Sequence, residues 1–229
     1  DRNGDMTVDF GFVPLMSLGS TVFVDNNDNG MQDAGEAGIP DVELELYNAG
    51  PDGHIGNGDD WFVESIFTDA DGNYLFDTLL PGKYYVEAPV TPAGFPISST
   101  ITATTDDGQD SDDNGSQPDG PGTSVTSPVI MLTADAEPIG VDENGQGGDQ
   151  DDNIGDDNNG DMTVDFGFLP MVSIGSTVWY DADDSGVQES GEVGIPNVTL
   201  QLFQPGPDGQ VGGGDDVLVA ATQTDVNGN

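Results

Sequence analysis

The chain repeats itself at a spacing of 156 residues. DRNGDMTVDFGFVP at Asp1–Pro14 returns as DNNGDMTVDFGFLP at Asp157–Pro170, and GSTVFVDNNDNGMQDAGEAGIP at Gly19–Pro40 returns as GSTVWYDADDSGVQESGEVGIP at Gly175–Pro196. Pairing Asp1–Asn73 with Asp157–Asn229 needs no gap, and 42 of the 73 pairs are identical. A fixed period of this kind marks an array of similar units, each of which must fold by the same rules. The boundaries read as the last strand of one unit (1–16), one complete unit (17–172) and the first half of the next (173–229). On that reading the chain is a window on a longer tandem protein.

Within a unit, short segments of period two are bounded by turn residues. TVFV (Thr21–Val24), DVELELY (Asp41–Tyr47), WFVESIF (Trp61–Phe67), NYLFD (Asn73–Asp77), KYYVEA (Lys83–Ala88), SPVIML (Ser127–Leu132) and MTVDFGF (Met162–Phe168) are predicted strands. In DVELELY, Val42, Leu44 and Leu46 share one face while Asp41, Glu43 and Glu45 share the other; Met162, Val164, Phe166 and Phe168 alternate likewise. This is the half-buried pattern of an antiparallel sheet. About seven strands with frequent Gly, Pro and Asp turns predict an all-β fold of tandem antiparallel β-sandwiches. Two long Asp/Gly-rich loops, Thr105–Gly122 and Asp142–Gly160, interrupt the pattern, and loops of that length are commonly functional or disordered.

Charge narrows the function classes. Arg2 and Lys83 are the two basic residues against 44 carboxylates, a formal net charge of -42. Phosphate contacts to nucleic acid have nothing to work with, and neither does attraction to an anionic membrane surface. No apolar run approaches the ~18 residues of a spanning helix. The absence of cysteine removes disulfides and thiolate metal sites. Of the acids, 35 are Asp and 9 are Glu. Asp set among Gly and Asn is the chemistry of turns and hard-cation ligands, because a short carboxylate folds back on its own backbone or reaches a shared ion.

Two twelve-residue segments match a calcium loop position by position. DNNDNGMQDAGE (Asp25–Glu36) places Asp25, Asn27, Asn29, the Met31 carbonyl, Asp33 and Glu36 at positions 1, 3, 5, 7, 9 and 12, with Gly30 at 6. DADDSGVQESGE (Asp181–Glu192) repeats the set with Asp181, Asp183, Ser185, the Val187 carbonyl, Glu189 and Glu192, and Gly186 at the turn. Alternate oxygens wrap the cation, glycine permits the sharp turn, and the last Glu closes the shell. Unlike an EF-hand, each loop is flanked by predicted strands. The alternative reading is an Asx-rich turn without metal. Weaker candidate clusters are Asp52, Asp59 and Asp60, repeated as Asp208, Asp215 and Asp216; Asp69 and Asp71; and Asp110, Asp112 and Asn114.

GSTVFVDNNDNGMQDAGEAGIPDVELELY, TDADGNYLFDTLLPGKYYVEA and the later TVDFGF resemble the SdrD B-like repeat of bacterial surface proteins, within the wider Cna-B, or prealbumin-like, β-sandwich group. The resemblance covers almost the whole chain. It implies secreted, calcium-stabilised, stalk-like modules outside the cell or on its surface, with calcium ligands at Asp25, Asn27, Asn29, Asp33 and Glu36 and at Asp181, Asp183, Ser185, Glu189 and Glu192. The unit is longer than usual for such repeats, the excess lying around Thr91–Asp161. Many Cna-B relatives carry a Lys–Asn isopeptide crosslink with lysine in an early strand; that strand has no lysine here, and Lys83 is expected at an exposed strand entry, so no crosslink is expected.

The function expected is therefore structural: a calcium-stiffened repeat of an extracellular stalk, matrix fibre or filament. Its partners would be calcium ions, adjacent repeats and identical chains in a filament. An adhesin module is the alternative and requires an exposed apolar or aromatic patch; Trp61 and Trp179 are the candidates, although both sit in predicted strands where core packing is expected. Catalysis is not expected, since His54 is replaced by Gln210 in the second copy. Two glycosylation sequons begin at Asn114 and Asn197.

Overall fold

The computed structural model describes residues 9–102, 104–139, 158–212 and 214–229, which form two compact units, Asp1–Met171 and Val172–Asn229. Most of the acidic loop expected at Asp142–Gly160, and residues 1–8 of the strand expected within 1–16, lie outside the described residues; 9–15 are not in a strand. The first unit carries β1 (Met16–Val24), β2 (Glu43–Asn48), β3 (Trp61–Phe67), β4 (Asn73–Leu79), β5 (Gly82–Ala88), β6 (Ile97–Ser98), β7 (Val125–Thr126), β8 (Ile130–Leu132), β9 (Gly160–Asp161) and β10 (Phe166–Leu169). The second carries β11 (Thr199–Gln204) and β12 (Val217–Gln223). Strands are the only regular elements among the described residues.

The first unit is an all-β sandwich of two sheets. One runs β4-β1-β10-β6, with β9 beside β1; the other runs β3-β2-β5-β7, with β8 beside β5. The alternating residues predicted to face inward do so: Leu44 and Leu46 of β2 meet Leu18 and Val22 of β1, Phe76 of β4, and Phe166 and Phe168 of β10 in one core. Fully burying a side chain of this size stabilises the fold by about 1.5–3 kcal/mol, so this cluster is the main cohesive term.

Three features depart from the sequence pattern. Strand β1 pairs in parallel with β9 and β10, at Leu18↔Asp161 and Val22↔Phe166, rather than only antiparallel. The segment Met162–Phe168 is buried on both faces, with Asp165 as inaccessible as Phe166, because the chain between β6 and β7 folds over its outer side. Trp61, by contrast, lies outside the core at 53% exposure. It begins β3, the edge of its sheet, where a register shift between Leu46 and Tyr47 turns the strand.

The second unit repeats the local rules of the first. β11 and β12 pair as β2 and β3 do, with the register shift again displaced by one repeat, at Leu202/Phe203. The isolated bridge Trp179↔Gly194 corresponds to Phe23↔Gly38. Leu200 and Leu202 are 43% and 40% exposed, whereas their counterparts Leu44 and Leu46 are fully buried.

Candidate functional site

The loop after β1 is built around Asp25. Its Oδ1 accepts the backbone N–H groups of Asn27 (3.0 Å) and Asp28 (2.7 Å), and its Oδ2 accepts that of Gly30 (2.8 Å). Those bonds wind residues 25–30 around one carboxylate. Glu36 closes the ring from the other end: Oε1 accepts Asn26 N–H at 2.7 Å and Oε2 accepts Asp33 N–H at 2.8 Å. Asn27 and Asn29 both donate their amide nitrogens to Asp33 Oδ2, at 2.8 and 2.9 Å. Half a turn of either amide brings its oxygen to the same point. Five of the side chains singled out from the sequence thus converge. Met31, whose carbonyl was the sixth, is bridged to Asp112.

The second loop has the same construction. Asp181 Oδ2 accepts Gly186 N–H at 2.9 Å and Oδ1 accepts Ser185 N–H at 3.1 Å. Glu192 accepts Ala182 N–H at 2.7 Å and Glu189 N–H at 3.1 Å. Carboxylate oxygens of Asp181, Asp183 and Glu192 all lie within 4.8 Å of one another. Ser185 Oγ donates to Glu189 at 2.7 Å and also approaches the Val187 carbonyl at 3.1 Å. Backbone donors hold the Asp181 carboxyl below the usual carboxylate range, Gly186 contributing most. Both donor sets consist of hard oxygens with two or more carboxylates, which fits a calcium-class cation.

What the sequence does not reveal is the cover on the first loop. Residues 110–116 insert between it and β10. Asp113 N–H donates to the Gly30 carbonyl (2.8 Å), Gln32 N–H to the Ser111 carbonyl (2.8 Å), and Asn114 N–H to the Asp165 carbonyl (3.0 Å). Asp28 Oδ1 accepts both the N–H and the hydroxyl of Thr100. Gly30 is required at this joint: its φ is +75°, and a Cβ would stand 2.2 Å from the Thr100 carbonyl oxygen. Asp25 is fully buried under this cover, whereas Asp181 remains partly open.

The inserted segment carries buried carboxylates. Asp165 accepts Ser20 Oγ–H (2.6 Å), Thr21 N–H (3.0 Å) and Ser111 N–H (2.8 Å). Asp113 accepts Gly115 and Gly167 N–H and the Ser99 hydroxyl. Desolvation pushes Asp113 up to about 7 and Asp112 to about 6, and raises Asp165 strongly, with the Asp110 charge adding to it. Asp113 and Asp165 were not among the expected site residues. The available signal was an aspartate inside TVDFGF, a strand otherwise made to be buried.

The weaker candidates separate into turns and packing. Asp52 accepts His54 N–H and the Asn57 amide; Asp60 accepts Gly56 N–H and approaches Tyr85 Oη. Asp59 packs on Gly50. In the second unit Asp208 caps Gln210 and Asp216 caps Gly212, while Asp215 packs on Gly206. Asp69 closes an Asx turn onto Asp71 and Asn73 N–H. Asp110 Oδ1 stands 3.0 Å from Ser20 Oγ, whose proton goes to Asp165, and Asp112 accepts the Thr102 hydroxyl at 3.1 Å. Asn114 is buried, with its amide oxygen on Asp165 N–H and its nitrogen on Asp112, so its side chain is not available to a glycosylating enzyme in the folded unit. Asn197 is exposed. Lys83 is half-buried rather than exposed, its stem on Gly53 and its Nζ on the Pro51 carbonyl.

Residues 16–137, from β1 through β8, match the model of the SdrD B-like domain. The chain belongs to the SdrD B-like family. Serine-aspartate repeat-containing protein E of Staphylococcus aureus is 33% identical over 228 residues, 98% of this chain, and the chain spans 15% of that relative's length. Bone sialoprotein-binding protein of Staphylococcus aureus matches at the same identity and coverage. Shaft pilin SpaA from Lactobacillus rhamnosus GG overlaps at a TM-score of 0.39 and 11% identity, covering 94% of this chain and 81% of its own. This SdrD B-like chain is a surface-protein repeat, and its location is extracellular, at the cell surface. Neither staphylococcal relative bears the name of a catalyst.

Proposed function

We propose that this SdrD B-like chain is a structural repeat of a long extracellular stalk, matrix fibre or filament, stiffened by calcium in the Asp25–Glu36 and Asp181–Glu192 loops. The observation that carries the reading is the double attachment of the first loop. Its carboxylates converge, and its backbone at Gly30 and Gln32 is hydrogen-bonded into the segment that covers β10. A bound cation would cancel the mutual repulsion of Asp25, Asp33 and Glu36 and fix their positions. The Asp25 and Glu36 carboxylates already hold the loop backbone, so loop order passes directly into the sheet. Occupancy at 100 times the dissociation constant stabilises the fold by ~2.7 kcal/mol per site, a sizeable share of a marginal domain's stability. Adjacent repeats, and identical chains in a filament, are the partners this role requires.

Thermal unfolding of the chain in excess calcium and in EGTA, at matched ionic strength, tests the reading. A calcium-specific rise in the midpoint, absent with magnesium, is expected; equal midpoints would reduce the loops to ordinary turns.

A second reading, adhesion to a matrix or host ligand, is favoured by one observation. Trp61, Phe62 and Phe67 are each more than half exposed on β3, and Phe62 meets Tyr47 edge-on at 5.7 Å, which stacks on Tyr85 at 5.1 Å. Exposed aromatics along one edge strand, with Phe62 packed on the Tyr47–Tyr85 pair, are recognition chemistry. Loss of surface adhesion by a Trp61→Ser/Phe62→Ser variant of unchanged stability would favour this role over the stalk.

A further inference from the structure

The outer face of the β3-β2-β5 sheet carries side chains that the core does not require. Leu44 and Leu46 point into the core, so the alternate residues Glu43, Glu45 and Tyr47 lie on the opposite face of β2. Residues paired across strands share a face. Glu45 therefore stands directly across from Glu87 of β5, Tyr47 from Tyr85, and Glu43 from Phe67 of β3. Phe62 completes the middle row, edge-on to Tyr47, which stacks on Tyr85. Two exposed rings, Phe62 at 52% and Phe67 at 61%, thus lie beside three half-buried carboxylates.

Like charges directly opposite each other destabilise a sheet, and nothing on this face offsets the Glu45–Glu87 pair. Among the described residues no ion pair reaches Glu43, Glu45 or Glu87, and Lys83 Nζ is engaged at the Pro51 carbonyl. Glu45 Oε2 accepts the Tyr47 hydroxyl at 2.6 Å, which fixes a carboxylate beside an aromatic ring. That bond, then burial and the charges of Glu45 and Glu87, push the Tyr47 hydroxyl up to about 12. A field that resists an anion on the ring favours a cation over it. The fold itself does not ask for this arrangement. One repeat on, β11 and β12 keep the same pairing, yet Glu43, Glu45 and Phe62 are replaced by Thr199, Gln201 and Leu218.

We propose that this face of the first unit docks an arginine-rich segment of a protein partner, with guanidinium groups lying on Phe62 and Tyr47 and paired to Glu45 and Glu87. A guanidinium combines a planar face that stacks on aromatic rings with a fork that pairs to carboxylates, whereas a lysine ammonium is a point charge. β3 is the edge of its sheet, so the face is open along that side. A second copy of the chain is the poorer occupant, since it brings the same net charge of -42 and the same three carboxylates. Docking of this kind rests on the adhesion reading, to which it adds the chemistry of the ligand, and does not depend on calcium in the loops.

Fluorescence anisotropy of a labelled peptide of alternating Arg and Thr, titrated with the whole chain at physiological ionic strength, tests the docking. The same peptide with Lys in place of Arg has equal charge and reports general attraction to an acidic chain. The Arg peptide is expected to bind more tightly than the Lys peptide. Phe62→Ser, which leaves the net charge unchanged, should weaken the Arg peptide by about threefold to thirtyfold. Glu87→Gln should also weaken it while raising the thermal midpoint, because the Glu45–Glu87 repulsion is relieved; a purely structural role would not separate the two readouts. Arg and Lys peptides that bind alike, or folded Phe62→Ser and Glu87→Gln proteins that bind the Arg peptide as the wild type does, would overturn the proposal. So would self-association in light scattering that Phe62→Ser abolishes, which gives the face to a second copy. Loss of surface adhesion by Trp61→Ser/Phe62→Ser, with the Arg peptide indifferent to Phe62→Ser, would refute this partner and leave adhesion standing. Unchanged adhesion, with the Arg peptide weakened, would refute the adhesion reading and leave the docking in place.

Discussion

Replacing Asp25 with alanine separates what the loop contributes by itself from what calcium adds. The carboxylate is fully buried and accepts three backbone N–H groups. Of these, the Gly30 N–H is buried, while those of Asn27 and Asp28 are nearer to solvent. A buried donor left unsatisfied costs about 1–3 kcal/mol, and the two that water can reach cost less. Relief of repulsion from neighbouring acids offsets part of the loss. The net expectation without calcium is ~2–4 kcal/mol, a midpoint drop of about 4–16 °C for a domain of 150–250 residues. In calcium at 100 times the dissociation constant, the lost site adds ~2.7 kcal/mol to the difference. The assay is thermal unfolding of wild type and Asp25→Ala in EGTA and in calcium. A drop below about 2 °C in EGTA would refute the claim that this carboxylate organises the loop. Equal drops in the two buffers would refute calcium binding there. Asp181→Ala provides the internal comparison: its carboxylate accepts two backbone N–H groups, those of Ser185 and Gly186, and is partly open to solvent, so its midpoint drop in EGTA should be smaller than that of Asp25→Ala.

Stability in EGTA should fall as pH rises. Desolvation lifts the Asp113 carboxyl to about 7 in the folded unit, so the folded state holds a proton that the unfolded chain releases near pH 4. The stability is complete below about pH 4 and is lost as pH rises through about 7, at up to ~1.4 kcal/mol per pH unit; Asp113→Asn, whose amide can serve the same Gly115, Gly167 and Ser99 partners, should flatten that slope in pH-dependent unfolding. Gly30→Ala should destabilise by more than ~2 kcal/mol in denaturant titration, since it combines left-handed backbone with a clash against the Thr100 carbonyl. Intact mass after expression in a glycosylating host should show sugar, if any, at Asn197 and none at Asn114; a glycan on Asn114 in folded protein would contradict its burial.

Much of the fold is written in local pattern. Alternation in DVELELY specifies which face of β2 is buried, and Leu44 and Leu46 are indeed inaccessible. The winding of the loop at Asp25–Glu36 is equally legible, because the backbone N–H groups that Asp25 and Glu36 accept all lie within its twelve residues; its bonds to Thr100, Ser111 and Asp113 are not. What was not legible depends on distant chain. Asp165 sits on the polar side of an alternating strand, yet residues 110–116, more than fifty positions earlier, bury that side. Trp61 shows the reverse: its strand reads as core, but it lies at the sheet edge and meets solvent. Period two assigns faces relative to one another; it does not say which faces are covered.

The aspartates make the same point in electrostatic terms. Asp69, Asp181 and Asp225 lie in short turns, where backbone N–H groups favour the charged form and hold their carboxyls below the usual range. Asp113, Asp161 and Asp165 also accept N–H groups, yet burial outweighs those bonds and pushes all three up. Composition counts both groups as one acidic surface. In the folded unit they oppose each other: turn aspartates stabilise at neutral pH without help, whereas buried ones destabilise unless a proton or cation compensates. A chain of net charge -42 with a single lysine in its described core has no side chain to do so.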